Sequence, residues 1–259
     1  MTDSASERSD FADTPYVLIH QREISKTSER VAFAIVRDVV ARGLRPGDRL
    51  PLEAELLDEY GVSRESMREA LRLLEAQGIV HIRRGPGGGP IVGRAESANL
   101  ARTMTLYFHL TGATYDELMR SWQALEPASA GRAAANPDRE RVAALMAPHL
   151  ERFDDGDDRG AYMEHSNALH FAVLELDDNR ILRMITLAVA DIVRTHVLLR
   201  VDPFEIRELI DCDHHEIAAA ILAGDAERAH DAMRAHIAGL DPVYRAHWDG
   251  RMTDLVEWK

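Results

Sequence analysis

The segment from Arg64 to Leu74 combines two side-chain periodicities that an α-helix places on opposite faces. Arg64, Arg68 and Arg72 recur every four residues, and apolar residues recur between them at helical spacing. Residues three and four apart share one side of a helix, so the arginines form a solvated face and the apolar residues a buried one. Ser63 precedes the segment and can accept a hydrogen bond from its first free amides. The apolar positions are Met67, Ala70, Leu71 and Leu74.

The neighbouring segments place this helix in a known type of supersecondary structure. Residues 52–60 are predicted to form a short helix that Gly61 ends, which makes a helix-turn-helix with the arginine-bearing helix. Residues 79–82 and 91–92 are predicted to form two strands around a glycine-rich tip, the arrangement of a wing. The tip contains Arg83, Arg84 and Gly87. Residues 21–94 are therefore predicted to form a winged helix-turn-helix that binds DNA.

The charge of the chain is divided unevenly along its length. The whole chain has a net charge of -13, which argues against indiscriminate coating of nucleic acid. Residues 21–94 hold 13 basic and 11 acidic side chains, whereas residues 95–259 hold 17 and 29. An acidic body is repelled from DNA unless the basic part faces it. We therefore expect specific base contacts and dimer geometry to supply much of the affinity.

Composition also restricts the compartment and the chemistry. No window approaches the length of unbroken apolar sequence needed to cross a bilayer, so the chain is expected to be cytoplasmic and without a membrane partner. Residues 1–20 are polar and acidic and are predicted to be a disordered tail, not a signal peptide. The single cysteine, Cys212, allows no internal disulfide and is predicted to be a small buried residue.

Residues 95–247 are predicted to be almost entirely helical. Turn-forming residues separate the helical stretches, and short connections favour an antiparallel bundle. The fold class is therefore mainly α, with a small β wing in the first domain and an all-α second domain. Residues 248–259 are set apart as a C-terminal tail. The predicted helices cover residues 98–109, 115–136, 138–153, 160–176, 179–201, 204–223 and 226–238.

The first domain resembles the GntR family of bacterial transcription regulators. The resemblance covers roughly residues 26–94 and rests on LRPGDRLPLEAELLDEYGVSRESMREALRLLEAQGIV and the glycine-rich tip. It implies that Ser63, Arg64 and Arg68 contact operator bases and phosphates, and that a wing glycine approaches the minor groove. Ala54 stands where FadR-type members carry a DNA-contacting arginine, so their operator is not implied. The alternative is an ordinary amphipathic surface helix with solvated arginines.

The helical half resembles the FCD domain, the effector-binding and dimerisation module of FadR-type GntR regulators. DHHEIAAAILAGDAERAHDAMRAHI is its most specific stretch. The resemblance implies that His170, His214 and His236 stand where most members hold a divalent metal. Imidazoles converging from three helices suit zinc or a nickel-like cation. The alternative is a metal-free pocket lined by hydrogen-bonded core histidines.

Two positions depart from the pattern of that domain. The family aspartate one turn before the first histidine is replaced by Ser166, and Asn167 could offer a neutral amide oxygen that binds a cation more weakly. Trp122 stands where many members have an arginine that grips an anionic effector. Trp122 and Asn167 are thus predicted to contact the effector, in a pocket that is larger or less anion-selective. The remaining histidines predicted to pack or hydrogen bond are His109, His149, His165 and His196.

These features together predict a ligand-responsive transcription regulator, most simply a repressor. A homodimer would bind an inverted-repeat operator and release it when an organic acid or a fatty acyl compound binds the helical domain. The alternative is a metal-dependent hydrolase whose three histidines hold a catalytic zinc. The sequence has no HExxH motif and no clear general base, and a DNA-binding domain would serve no purpose in such an enzyme.

Overall fold

The computed structural model describes residues 26–258 except residues 86, 152, 154–157 and 249. The predicted tail at residues 1–20 lies outside this part of the chain. The chain divides into two compact units, Met1–Ala95 and Glu96–Lys259.

The described residues of the first unit form three helices and a two-stranded antiparallel sheet. Buried apolar residues from all three helices and from both strands form one core, in which Ile35, Leu56 and Met67 are almost fully enclosed. The strands pair with Val80 opposite Val92 and Arg83 opposite Gly89. The elements are α1 (Thr27–Ala41), α2 (Glu53–Tyr60), α3 (Arg64–Ala76), β1 (Val80–Arg83) and β2 (Gly89–Val92).

Local sequence explains where these elements begin and end. Gly61 ends α2 with a φ of 61°, a left-handed conformation that glycine adopts without steric cost. The Ser63 hydroxyl accepts a hydrogen bond from the Ser66 amide at 3.2 Å and so caps α3. The Leu50 amide donates to the Pro90 carbonyl at 3.0 Å, which ties the segment before α2 to the wing. The predicted winged helix-turn-helix is confirmed.

The second unit is all-helical, as predicted. Helix α5 lies at its centre and packs against α7, α8, α9 and α10, while α4 packs on α8. None of the described helices is both long and apolar enough to cross a bilayer. The helices are α4 (Ser97–Thr111), α5 (Tyr115–Ala134), α6 (Arg139–Met146), α7 (Arg159–Leu176), α8 (Arg180–His196), α9 (Arg207–Ala223) and α10 (Ala226–His247).

Three predicted helix ends are wrong. Helix α6 gives way to a 3₁₀ turn, Ala147–His149, because Pro148 has no amide hydrogen to continue the α-helical bonding. Helix α8 ends at His196, where a further 3₁₀ turn follows. In the other direction, α10 continues past Gly239 and Pro242 to His247.

The segment after α10, which the sequence sets apart as a tail, belongs to the core of the helical unit. Trp248, Met252 and Val256 are buried there. The Val256 amide donates to the Ala113 carbonyl at 2.9 Å, and the ring of Trp248 meets Tyr115 edge-on with centroids 4.4 Å apart. Trp248 and Val256 are thereby held against the start of α5 and the residues before it.

Candidate functional site

The structure places the three predicted arginines of α3 on one exposed face. Arg64, Arg68 and Arg72 are exposed, while the apolar residues between them are buried in the core of the first unit. Ser63 is also exposed at the start of the helix, beside Arg64. A capped helix anchored by its apolar face presents these side chains in a fixed direction, as insertion into a major groove requires.

One of these arginines already has a partner that sequence reasoning missed. The Arg68 Nε atom donates to a carboxylate oxygen of Glu53 at 3.0 Å, and the two side chains are 62% and 35% exposed. An exposed pair of this kind contributes at most about 1 kcal/mol. A phosphate or base that binds Arg68 through Nε must displace Glu53, and the low strength of the pair makes the exchange feasible.

The wing ends in a glycine-dependent turn that carries two arginines. Arg83 and Arg84 are exposed at the tip, and Gly87 has a φ of 72°. A Cβ atom on Gly88 would lie 2.2 Å from the Arg83 carbonyl oxygen, so no other residue fits there without a shift of the backbone. The tip therefore presents two cationic side chains next to glycine residues, whose backbone has no side chain to keep DNA at a distance.

The second unit brings the three predicted histidines together in its interior. His170 comes from α7, His214 from α9 and His236 from α10, and one nitrogen from each lies within 4.8 Å of the others. The ring centroids are separated by 4.7 to 5.4 Å. His236 and His214 are buried, and the His170 side chain is 17% exposed. We call this group the histidine centre.

Two carboxylates orient the histidine centre from outside, and the sequence alone identifies neither as a site residue. A Glu126 oxygen lies 2.5 Å from His170 Nδ1, and an Asp213 oxygen lies 3.2 Å from His236 Nδ1. The other Glu126 oxygen accepts the indole hydrogen of Trp122. A carboxylate on the far nitrogen of an imidazole fixes its tautomer and makes the facing nitrogen a better metal ligand.

The buried rings favour the neutral form that metal binding requires. Burial lowers the pKa of His214 well below its usual value, and the nearby imidazoles lower it further. Burial also lowers the pKa of His236, although its hydrogen bond with Asp213 acts in the opposite direction. Neutral imidazoles keep a lone pair for a cation, so no proton has to leave these rings before an ion binds at neutral pH.

One pair of nitrogens already has the spacing of two ligands of a small divalent ion. His214 Nε2 and His236 Nε2 are 3.2 Å apart, within hydrogen-bond distance. Two nitrogens bound tetrahedrally to zinc at the usual bond length would be separated by about 3.3 Å. A nitrogen of His170 lies within 4.8 Å of both, so the three residues are the candidate ligands of a zinc-like ion, which would supply a positive charge and open coordination positions for a ligand.

The remaining predicted site residues lie next to the histidine centre. Ser166 is buried, and both Ser166 and Asn167 line a cavity of about 20 Å³ beside His170 and His236. Trp122 is buried with its ring centroid 6.2 Å from that of His170 and lines the same cavity. Its hydrogen bond with Glu126 shows that Trp122 positions a carboxylate. Effector contact by Trp122 and Asn167 stays a prediction.

The structure shows that the prediction of a buried Cys212 is wrong. It also shows how three of the other histidines are placed. Cys212 is exposed, because it lies on the side of α9 that faces away from Ile217 and the core. His149 is buried as expected for a packing residue, but its Nδ1 atom has no hydrogen-bond partner among the described residues. His109 and His196 do hydrogen bond, to the Val256 carbonyl and the Tyr115 hydroxyl.

A winged helix-turn-helix followed by a helical domain with an internal histidine centre defines a DNA-binding transcription regulator. Two family models match the chain, one described as "Bacterial regulatory proteins, gntR family" at residues 27–88 and one as "FCD domain" at residues 117–239. The chain belongs to the GntR family, and its second unit carries an FCD domain. It is a regulator and not an enzyme, and the hydrolase alternative finds no support.

Known proteins share this organisation over most of the chain. A protein described as a putative L-lactate dehydrogenase operon regulatory protein of Escherichia coli (strain K12) is 28% identical over 82% of this chain and 84% of its own length. The galactonate operon transcriptional repressor of the same organism is 28% identical over 66% of this chain and 75% of its own length. A solved Streptococcus agalactiae GntR protein shares the fold, with a TM-score of 0.62, 21% identity and coverage of 84% and 99%.

Proposed function

We propose that this protein is a FadR-type repressor that binds an inverted-repeat operator in the bacterial cytoplasm as a homodimer. Binding of a small metabolite in the helical unit releases the DNA. The observation that carries the proposal is the exposed arginine face of α3, capped at Ser63 and anchored by a buried apolar face. Two such helices related by twofold symmetry suit successive major grooves of a palindromic site.

The contacts with DNA divide into two kinds. Ser63, Arg64 and Arg68 at the start of α3 are proposed to contact bases and phosphates in the major groove. Arg72 and the tip arginines Arg83 and Arg84 are proposed to contact phosphates, while Gly87 lets the wing backbone approach the minor groove. Their side chains are exposed in the described part of the first unit, as such contacts require. Phosphate contacts set position and base contacts set sequence preference.

The metabolite is proposed to act at the histidine centre. His170, His214 and His236 would hold a zinc or nickel-like ion, to which an anionic oxygen of the metabolite could bind. Among the two ligand classes expected from the sequence, an organic acid is favoured over a fatty acyl compound, because two relatives are named for lactate and galactonate operons. The chemistry agrees, because a hydroxycarboxylate offers oxygen donors to an open metal site.

A homodimer is supported by an apolar patch on the helical unit. The Ser97 hydroxyl donates to Asp191 at 2.5 Å, so the start of α4 lies beside the end of α8. Because these helices pack together, the end of α4 lies toward the start of α8. Leu110 and Ile181, at those ends, are 67% and 73% exposed. Tyr107 and Ile185, one turn away, are partly exposed as well, and we call these four residues the apolar patch.

Single-arginine variants test the DNA contacts. A duplex selected from a random pool by the purified protein serves as operator, and binding is measured by gel shift at several salt concentrations. Arg64→Ala should weaken operator binding by about 1–3 kcal/mol and relax base preference, since it removes a base contact. Arg37→Ala on α1 is the control, because Arg37 is also exposed in the same unit and is not among the proposed DNA contacts. An equal loss of operator affinity in both variants, or no loss in Arg64→Ala, would show that Arg64 does not contact a base.

The pair between Arg68 and Glu53 gives a test in the opposite direction. Glu53→Gln removes the competing carboxylate, so Arg68 no longer has to exchange an ion pair for DNA. Operator affinity should rise up to about fivefold at low salt, in keeping with the small strength of an exposed pair. Arg68→Ala should abolish that gain in the double variant. If Glu53→Gln tightens binding equally without Arg68, the gain comes from general charge and not from this arginine.

A further inference from the structure

The helical unit contains a cleft that neither Trp122 nor Asn167, the predicted effector residues, lines. It has a volume of about 390 Å³ and is formed by α7, α9 and the turn after α6. Its lining includes His149 and His165 together with Asp211 and Glu208. Its size falls in the range of small-molecule sites. We call it the His149 cleft.

The His149 cleft leads to the histidine centre. His214 lines it, and Ser166 lines both the cleft and the small cavity beside His170 and His236. The two cavities that His170 lines hold only about 20 Å³ each, which is room for about one water molecule. Of these three cavities, only the cleft has room for a hydrated ion, and His214 is the residue of the histidine centre that lines it.

The side chains that line the cleft have the chemistry of cation ligands. The described lining residues include carboxylates from α9 and imidazoles from three segments, and they include no lysine or arginine. Imidazole nitrogen together with carboxylate oxygen is a donor set that zinc and similar divalent ions accept. The described lining residues therefore offer a divalent cation both nitrogen and oxygen donors.

His149 provides a second and independent indication of a ligand. It is 8% exposed, and its Nδ1 atom is buried with no hydrogen-bond partner among the described residues. A buried polar atom without a partner costs free energy that a bound cation would recover. Its ring centroid is 5.2 Å from that of His165. Burial lowers the pKa of His149 to about 4 and also lowers that of His165, so both rings are neutral and can bind a cation at neutral pH.

We propose that the His149 cleft is the route by which a divalent cation reaches the histidine centre, with His149 and His165 as its first nitrogen ligands. The ion exchanges water for these two imidazoles in the cleft and then passes to His214, His170 and His236. The inference rests on the proposed metal centre and adds its access path. An access path changes the association rate and the dissociation rate of the ion by the same factor. It therefore does not change the affinity of the histidine centre for the ion.

The single cysteine makes this route testable in the full-length protein. Cys212 is exposed and lines the cleft, so N-ethylmaleimide can place a bulky group there and nowhere else through a thiol. Metal-free protein is labelled, and zinc uptake and release are followed by stopped flow with a chromophoric zinc chelator. Labelling should slow both rates at least about tenfold, while one zinc per chain still binds with unchanged affinity. Cys212→Ser treated with the same reagent should keep the uptake rate of untreated protein.

A second variant tests the proposed first ligands without plugging the cleft. His165→Asn should slow zinc uptake at least about threefold and leave the final stoichiometry at one per chain. Uptake rates that labelling or His165→Asn leaves unchanged would overturn the route. So would a loss of affinity at an unchanged association rate, or the absence of zinc binding to the wild type. Operator binding of the same metal-free samples is measured in parallel, so a failure of DNA recognition is seen separately from a failure of the route.

Discussion

A carboxylate with no exposed surface has to be paired, and Glu126 has a partner for each of its oxygens. One oxygen accepts the Trp122 indole hydrogen and the other lies against His170 Nδ1. Because an anion at that position holds the imidazole in one tautomer and raises the basicity of its other nitrogen, Glu126 acts on metal affinity without touching the ion.

Glu126→Gln tests this indirect role. The amide keeps nearly the same shape but removes the negative charge, so zinc affinity measured by competition with a chelator should fall about 10- to 100-fold. Glu164→Gln, on an exposed position of α7, is the matched control and should keep the wild-type affinity. A Glu126→Gln protein that binds zinc as tightly as the control would show that the carboxylate only fills space.

The three histidines of the histidine centre could be predicted from the sequence, but the carboxylates that orient them could not. His170, His214 and His236 could be predicted because a resemblance marks their positions. Glu126 and Asp213 could not, since their role depends on which imidazole nitrogen they face. A weak signal for Glu126 exists: it is a charged residue on the face of α5 that otherwise buries Leu118, Trp122 and Ala130. A charge on a buried stripe needs a partner.

Among the structural elements, the turn between α2 and α3 decides the direction of the arginine face. Gly61 has a φ of 61°, and a Cβ atom placed there would meet nothing within 4 Å. The cost of a side chain at this position is therefore conformational and not a clash. Gly61→Ala should destabilise the first unit by about 1–2 kcal/mol.

A matched substitution separates conformational strain from the loss of glycine itself. Gly61→Asn should cost less than Gly61→Ala, because asparagine enters the left-handed region more readily. Thermal unfolding followed by circular dichroism gives the comparison, with an expected lowering of about 4–8 °C per kcal/mol for a unit of this size. Equal midpoints for the alanine and asparagine variants would show that the turn adopts another conformation.

Helix positions could be predicted better than helix ends. Apolar periodicity marks α7 and α9 within a few residues, because their buried faces are continuous. Gly239 and Pro242 favour an end of α10 that is too early. Leu240 and Tyr244 are buried on the same helix, so their burial outweighs the lost hydrogen bond and the flexibility of glycine. The His149 cleft could not be predicted, since it forms only when α7, α9 and the turn after α6 meet.

For the whole molecule, the proposed regulation requires two copies of the chain, and the apolar patch predicts where they meet. Exposed leucine and isoleucine at adjacent helix ends lose contact with water when a second copy covers them, at about 25 cal/mol per Å² of apolar surface. Replacing Leu110 and Ile181 together by lysine adds four like charges across a twofold interface. The double variant should sediment as a monomer, whereas the wild type should sediment as a dimer.

Leu199→Lys is the control for this variant, because Leu199 is 63% exposed at the opposite end of α8. It should leave the dimer intact. The monomeric variant should bind a single half-site as weakly as the wild type does and lose the gain from a full inverted repeat, since only a dimer engages both half-sites at once. A double variant that remains dimeric and keeps full operator affinity would place the interface on another surface and remove the structural support for the proposed patch.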